Sequence, residues 1–201
     1  MADIARLRID LAEVTPRVRR RIEVPLALTL HDLHTAVQIA MGWTDSHLCE
    51  FRAGKAVYGV PDPDWGEFGG TRILPAKRTR LAEVLAGDRK TFTYVYDFGD
   101  DWQHKVRVEA LIAADPAVLY PRLVDGEGRC PPEDVGGPWG YADFLEAIGD
   151  PVHEQHEELL EWCGGSFDPA DIDEADTRKA MERFAGSIAR RKPRRPSGST
   201  R

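Results

Sequence analysis

Residues 91–110, TFTYVYDFGDDWQHKVRVEA, decide the fold, because apolar and polar side chains alternate on both sides of a single turn. A repeat of two is the signature of a strand with one buried and one wet face. Phe92, Tyr94, Tyr96 and Phe98 share a face of the first strand. In the second, Trp102, His104, Val106 and Val108 point one way, and Gln103, Lys105, Arg107 and Glu109 meet water. His104 is therefore expected in the buried layer. Gly99, Asp100 and Asp101 supply ordinary turn chemistry between the two strands.

The same periodicity recurs toward the N-terminus. Leu7, Ile9 and Leu11 share one face of 6–11, and after a turn at Thr15-Pro16 the segment 17–24 aligns Val18, Ile22 and Val24, giving an opening hairpin that Pro25 ends. Thr29, with Asp32 three residues on, caps a helix carrying Leu30, Leu33, Val37, Ala40 and Met41, and Gly42 closes it. Residues 47–52 and 55–60 read as two short strands across Ala53-Gly54. The loop PDPDWGEFGG, 61–70, follows as a surface insertion or a binding loop. Thr79 is expected to cap a short helix with Leu81, Val84 and Leu85.

Helical spacing takes over in the last third. Tyr141, Phe144, Leu145 and Ile148 form one stripe, His156, Leu159, Leu160 and Cys163 a second, and Ile172, Ala175, Phe184 and Ile188 a third beginning near Pro169. Strands gathered early and helices gathered late predict an α+β fold, a largely antiparallel sheet of about five to six strands covered by helices. One domain is expected over 1–187. Residues 188–201, IARRKPRRPSGSTR, read as a disordered basic tail.

Charge is divided unevenly. The tail holds six basic residues and no acid, so a net charge of −7 for the whole chain leaves −13 on residues 1–187. A body that acidic repels a phosphate backbone, and nucleic-acid contact falls to Arg190, Arg191, Lys192, Arg194 and Arg195, weakly and with a salt dependence. The opening MADIARLRID alternates charge with Leu and Ile and builds no signal-peptide core, and no run of about 18 apolar residues occurs. A cytoplasmic protein without membrane contact is the expectation. Cys49, Cys130 and Cys163 are far apart and form no CxxC pair, which points to reduced, structural thiols.

Three constellations carry the chemistry. In YDFGDDWQH, Asp97, Asp100 and Asp101 crowd a tight turn beside His104, an arrangement that suits a hard cation or, equally, a self-capping turn. In CPPEDVGGPWGY, 130–141, a rigid loop delivers a Gly-rich turn to a helix N-terminus. Glu133 and Asp134 oppose an anion there, and no Lys stands where a P-loop needs one. His153 and His156 are spaced to share a helix face and, with Asp100 and His104, are the candidate metal ligands. No nucleophile motif of the G-x-S-x-G type occurs, and Cys130 lacks a local base.

YDFGDDWQH, CPPEDVGGPWGY and HEQHEELLEWCGGSFDP, taken in order, resemble the plasmid pRiA ORF-three-like family over about residues 4–184. The resemblance implies a compact α+β domain in a mobile-element setting, as an insertion-element passenger with resolvase-type labels but no established reaction. Relatives often carry a second Cys after the acidic pair of the CPPED block, where this chain has Val135, which removes a thiol partner for Cys130.

The expected function is that of an accessory protein that binds a protein, peptide or small ligand without demonstrated catalysis. Its pocket is acidic and walled by Tyr96, Trp102, Trp139 and Tyr141, with Asp97, Asp100, Asp101, His104, Glu133 and Asp134 around it. No cofactor is expected. The alternative is a metal-dependent hydrolase or nuclease built on the acidic turn, with a divalent ion as its cofactor.

Overall fold

The computed structural model describes residues 3–61 and 72–191. Among the described residues, eight strands form one sheet. They are β1 (Ile4–Leu11), β2 (Arg19–Pro25), β3 (Cys49–Ala53), β4 (Ala56–Gly59), β5 (Ile73–Pro75), β6 (Thr91–Tyr96), β7 (Trp102–Ile112) and β8 (Arg122–Glu127). Their order is β5-β4-β3-β6-β7-β1-β2-β8. Every pair is antiparallel except β4 with β5. Five helices among the described residues accompany them: α1 (Leu30–Met41), α2 (Leu81–Val84), α3 (Gly137–Gly149), α4 (His156–Trp162) and α5 (Glu174–Arg190).

The α+β class holds, and the sheet is larger than the five to six strands expected. The additional strands are β5 and β8, which sit at the two edges, and neither is buried enough on one face to leave a clear alternation. The loop 61–70 lies outside the described residues from 62 onward, as does the tail from 192. Ile188 to Arg190, expected in the tail, continue α5 instead.

The hairpin does what its alternation dictates. Phe92, Tyr94, Tyr96, Trp102, His104, Val106 and Val108 are buried, and Tyr94 and His104 oppose each other in the β6–β7 register. Phe98 departs from its expected face. It is 53% exposed because β6 ends at Tyr96 and Phe98 belongs to the turn. Thr29 caps α1 by accepting from the Asp32 amide, and Gly42 ends the helix in the left-handed region at φ 84°. Arg80, not Thr79, precedes α2, with the Glu83 carboxylate accepting from its amide at 3.0 Å. The last helix starts at Glu174, later than Pro169, which leaves Ala175 exposed and puts Thr177, Met181 and Ala185 inward.

The two faces of the sheet differ in kind. One packs against α1, with Leu30, Leu33, Ala36, Val37 and Ala40 in the apolar layer. The other is laced by ion pairs across β1, β2, β7 and β8, including Arg21 to Glu109 and Asp125 and Arg8 to Asp10. Glu23 is the one acid of this lattice whose side chain is fully screened from solvent. It accepts from Arg6 at 2.9 and 2.7 Å and from Arg122 at 2.7 Å. Burial alone pushes its carboxyl up, but the bonds from Arg122 and Arg6 outweigh that and hold it below the usual 4.5.

Because the folded value lies below the unfolded one, Glu23 stabilises the fold above about pH 4.5 and loses that contribution as pH falls through the folded value. Glu23→Gln should cost about 1–3 kcal/mol at neutral pH and flatten the acid limb of stability. Denaturant midpoints of both proteins between pH 3 and 7 measure this; parallel acid limbs would refute it.

Candidate functional site

The site grows from the end of α1. Gly42 turns the chain, and Trp43 enters the core, 8% exposed, where its Nε1 donates to the Pro131 carbonyl at 2.9 Å. Its ring stacks on Tyr96 at 5.0 Å and meets the edge of His104 at 5.3 Å. Thr44 to His47 are thereby laid across the end of the β6–β7 hairpin. A third segment, the loop from Cys130 to Gly136, arrives over both.

Glu133 joins the three segments. One of its oxygens accepts from the Tyr96 hydroxyl at 2.5 Å, and the other accepts from the Thr44 amide at 3.0 Å and from the Thr44 hydroxyl. The Ser46 amide donates to Tyr96 Oη at 3.0 Å. Burial raises the Glu133 carboxyl, yet the donors from Thr44 and Tyr96 bring it below its ordinary value, so it stays ionised at neutral pH. The tyrosine is pushed up, first by burial and then by this carboxylate.

Beside that clamp, His47 stands between two carboxylates. Its Nδ1 is 3.6 Å from Asp97 Oδ2 and its Nε2 is 3.1 Å from Asp134 Oδ1. Asp97 and Asp134 both hold left-handed backbones, at φ 55° and 61°. The other oxygen of Asp97 accepts from the Gly99 amide at 2.9 Å.

Several sequence-predicted site residues do not belong here. Trp102 and Tyr141 are core residues, buried by the strand alternation and by the α3 stripe respectively, and Tyr96 is buried as well but keeps its hydroxyl in the clamp. Trp139 is 84% exposed and stands out in solvent. His104 is wholly enclosed, with Nδ1 3.1–3.2 Å from the Trp102 and Tyr94 carbonyls, and burial lowers its pKa to about 4. Asp100 accepts from the Gly136 amide at 3.3 Å, and exposed Asp101 accepts from Gln103. His153 precedes α4 in a turn, and His156 Nδ1 donates to the Ala147 carbonyl at 2.9 Å, so the two do not share a helix face. Arg190 ends α5, Arg191 pairs with Asp32, and Lys192, Arg194 and Arg195 lie outside the described residues.

Two of the three constellations do meet, through Asp100 and Gly136 and through Asp97, His47 and Asp134. What sequence reasoning missed is His47, with Trp43 and Thr44. The available signal was the polar run Thr44-Asp45-Ser46-His47, which follows a helix-ending glycine and Trp43 and reads as a loop able to carry function.

A cleft of 690 Å³ opens beside the clamp, between the end of α1, the 130–134 loop, the end of α4 and the start of α5. Trp43, Trp162 and Phe167 contribute aromatic surface to it, and Glu133, Asp134, Asp171, Asp173 and Asp176 contribute carboxylates. Arg20 reaches it but is 1% exposed, its guanidinium spent on the Ala40, Arg19, Glu127 and Gly128 carbonyls. Arg129 lies over the Phe167 ring at 4.8 Å. Cys130, at the cleft floor, is free and buried, and burial pushes its thiol up to about 12, which leaves it unreactive.

A family model described as Plasmid pRiA4b ORF-3-like protein matches residues 3–176. The chain belongs to that family. The Uncharacterized protein y4hQ of Sinorhizobium fredii is 43% identical over 197 residues, 97% of this chain and 99% of that protein. The crystal structure of a protein of unknown function, MM3350 from Methanosarcina mazei, matches with a TM-score of 0.76 and 36% identity over 86% of this chain and 96% of that one. The match of the ORF-3-like family spans all three loops that build the site. No helix among the described residues is long and apolar enough to cross a membrane.

Gly137 fixes the approach of the third loop. It has φ 70°, and a Cβ there would lie 2.6 Å from the Asp100 carbonyl oxygen. Gly137→Ala should therefore lower stability by about 1–3 kcal/mol and detach the loop from the hairpin. A thermal melt together with amide exchange at Thr44 and Gly136 reads both effects; an unchanged melt and unchanged protection would contradict the packing described.

Proposed function

We propose that this ORF-3-like protein is a non-catalytic accessory binding domain, in keeping with the plasmid setting of its family, and that its ligand presents a cationic group to the cleft. The observation that carries this reading is the imbalance of charge on the cleft wall: five carboxylates line it, of which Asp176 is paired with Lys179, while one guanidinium is saturated by carbonyls and the other is stacked on a ring. Glu133 stays ionised, and the aromatic surface of Trp162 adds the apolar and cation–π contact that Lys and Arg side chains or organic amines favour.

Among the described residues, no nucleophile or base is positioned over the cleft in a way that calls for a reaction. Cys130 is buried and protonated, and Arg20 is structural. The relatives bear names without a reaction, which agrees with an accessory role.

A short Arg- and Lys-containing peptide should quench tryptophan fluorescence on titration in EDTA-containing buffer, and binding should weaken as salt rises. The Asp171→Asn, Asp173→Asn double variant should bind at least 10-fold more weakly, about 1.4 kcal/mol. Equal binding by the Glu-substituted peptide, or no change in the double variant, would reject the reading.

A further inference from the structure

We infer that His47, Asp97 and Asp134 form a binding site for a first-row divalent cation at the rim of the cleft. Each offers one ligand atom, and these atoms lie within 4.8 Å of one another, although they come from the α1–β3 loop, the β6–β7 turn and the 130–136 loop.

The second observation concerns the imidazole itself. His47 Nε2 is screened from solvent and has no hydrogen-bond partner, even though Asp134 Oδ1 is only 3.1 Å away. A ring nitrogen and a carboxylate that close without hydrogen-bond geometry are placed as two ligands of one ion would be. Metal–ligand bonds of roughly 2.0–2.2 Å set neighbouring ligand atoms about 3 Å apart with the ion off the line between them. On the other side of the ring Nδ1 faces Asp97 Oδ2 at 3.6 Å, the relation in which a carboxylate orients a ligating histidine or joins it as a ligand.

Charge supports the same conclusion. Among the described residues, no Lys or Arg forms an ion pair with Asp97, Glu133 or Asp134. Three carboxylates share one imidazole, and Asp97 is 7% exposed, so part of this negative charge sits out of water without a counter-charge. One nitrogen and two carboxylates suit Zn²⁺ or Mn²⁺ better than a thiolate-seeking ion. Asp134 also lines the cleft, so the ion keeps an open side toward whatever the cleft holds. The site does not depend on the cationic ligand, whose other acids, Asp171 and Asp173, lie at the α5 end.

The test uses the full chain, treated with chelator and exchanged into buffer. Calorimetric titration with ZnCl₂ and MnCl₂ should show one site, and Co²⁺ should give visible absorption bands. Asp134→Asn preserves the left-handed backbone, which Asn tolerates, and removes a charge from a side chain that is 70% exposed, so folding is not at stake. That variant and His47→Gln should each weaken binding at least 10-fold and change the Co²⁺ spectrum, while His156→Gln should alter neither. Absence of heat and of Co²⁺ bands in the parent protein overturns the inference. Unchanged affinity in Asp134→Asn and His47→Gln also overturns it, by placing the metal elsewhere. Because the peptide titration runs in EDTA, failure of one reading leaves the other standing.

Discussion

A buried tyrosine hydroxyl is costly to leave unpaired, and the two on strand β6 are both paired, whereas Tyr141 Oη in α3 has no partner among the described residues. Tyr94 and Tyr96 lie in the covered layer of the sheet because strand β6 alternates, and a buried polar group without a partner costs about 1–3 kcal/mol. The segments that cover the sheet must bring partners with them. For Tyr94 these are His34 Nδ1 at 2.7 Å and Gln38 Nε2 at 3.0 Å, both from α1. For Tyr96 they are the Ser46 amide and the Glu133 carboxylate, both from loops. The position of α1 and the meeting of the site loops both follow from the need to satisfy one strand's hydroxyls.

The same constraint explains why the acids of the site stay charged. Glu133 is recruited to accept from Tyr96, and once in place it accepts from Thr44 as well, which holds down its pKa despite partial burial. Asp134 follows it in the chain and is turned toward His47 by a left-handed residue, and Asp97 follows Tyr96 and its strand in the same backbone state. Acid is thus placed beside acid by backbone continuity with a structural clamp. A cluster assembled this way accumulates charge that the fold itself does not neutralise.

This ordering also shows what the sequence made legible. The hairpin, the α1 cap and its glycine stop are local, each written in one short continuous stretch of chain, and they were readable. So was the family, from three ordered blocks. The edge strands β5 and β8 were not, because edge position leaves residues half exposed and blurs the period of two. The site was readable in composition and unreadable in partnership. Asp97, Glu133 and Asp134 drew notice as crowded acids. Crowding along the chain, however, named His104 as their imidazole, and the alternation that buries His104 denies it to them.

His47 takes that place because the fold, not the chain, supplies it. The polar run from Thr44 to His47 sets this histidine apart along the chain, but nothing in the run names its partners. Only when Trp43 is drawn under the Cys130–Gly136 loop, donating to Pro131 and stacking on Tyr96, does the residue four positions later stand between Asp97 and Asp134. The structural residue that fixes the site is therefore the tryptophan, and its role is mechanical. It converts the end of a helix into the third side of a polar cluster, using an indole that satisfies one backbone carbonyl and fills the gap between sheet and loop. A site of this kind is set by packing among segments that are distant in sequence, so one chain shows its acids and hides the base that joins them.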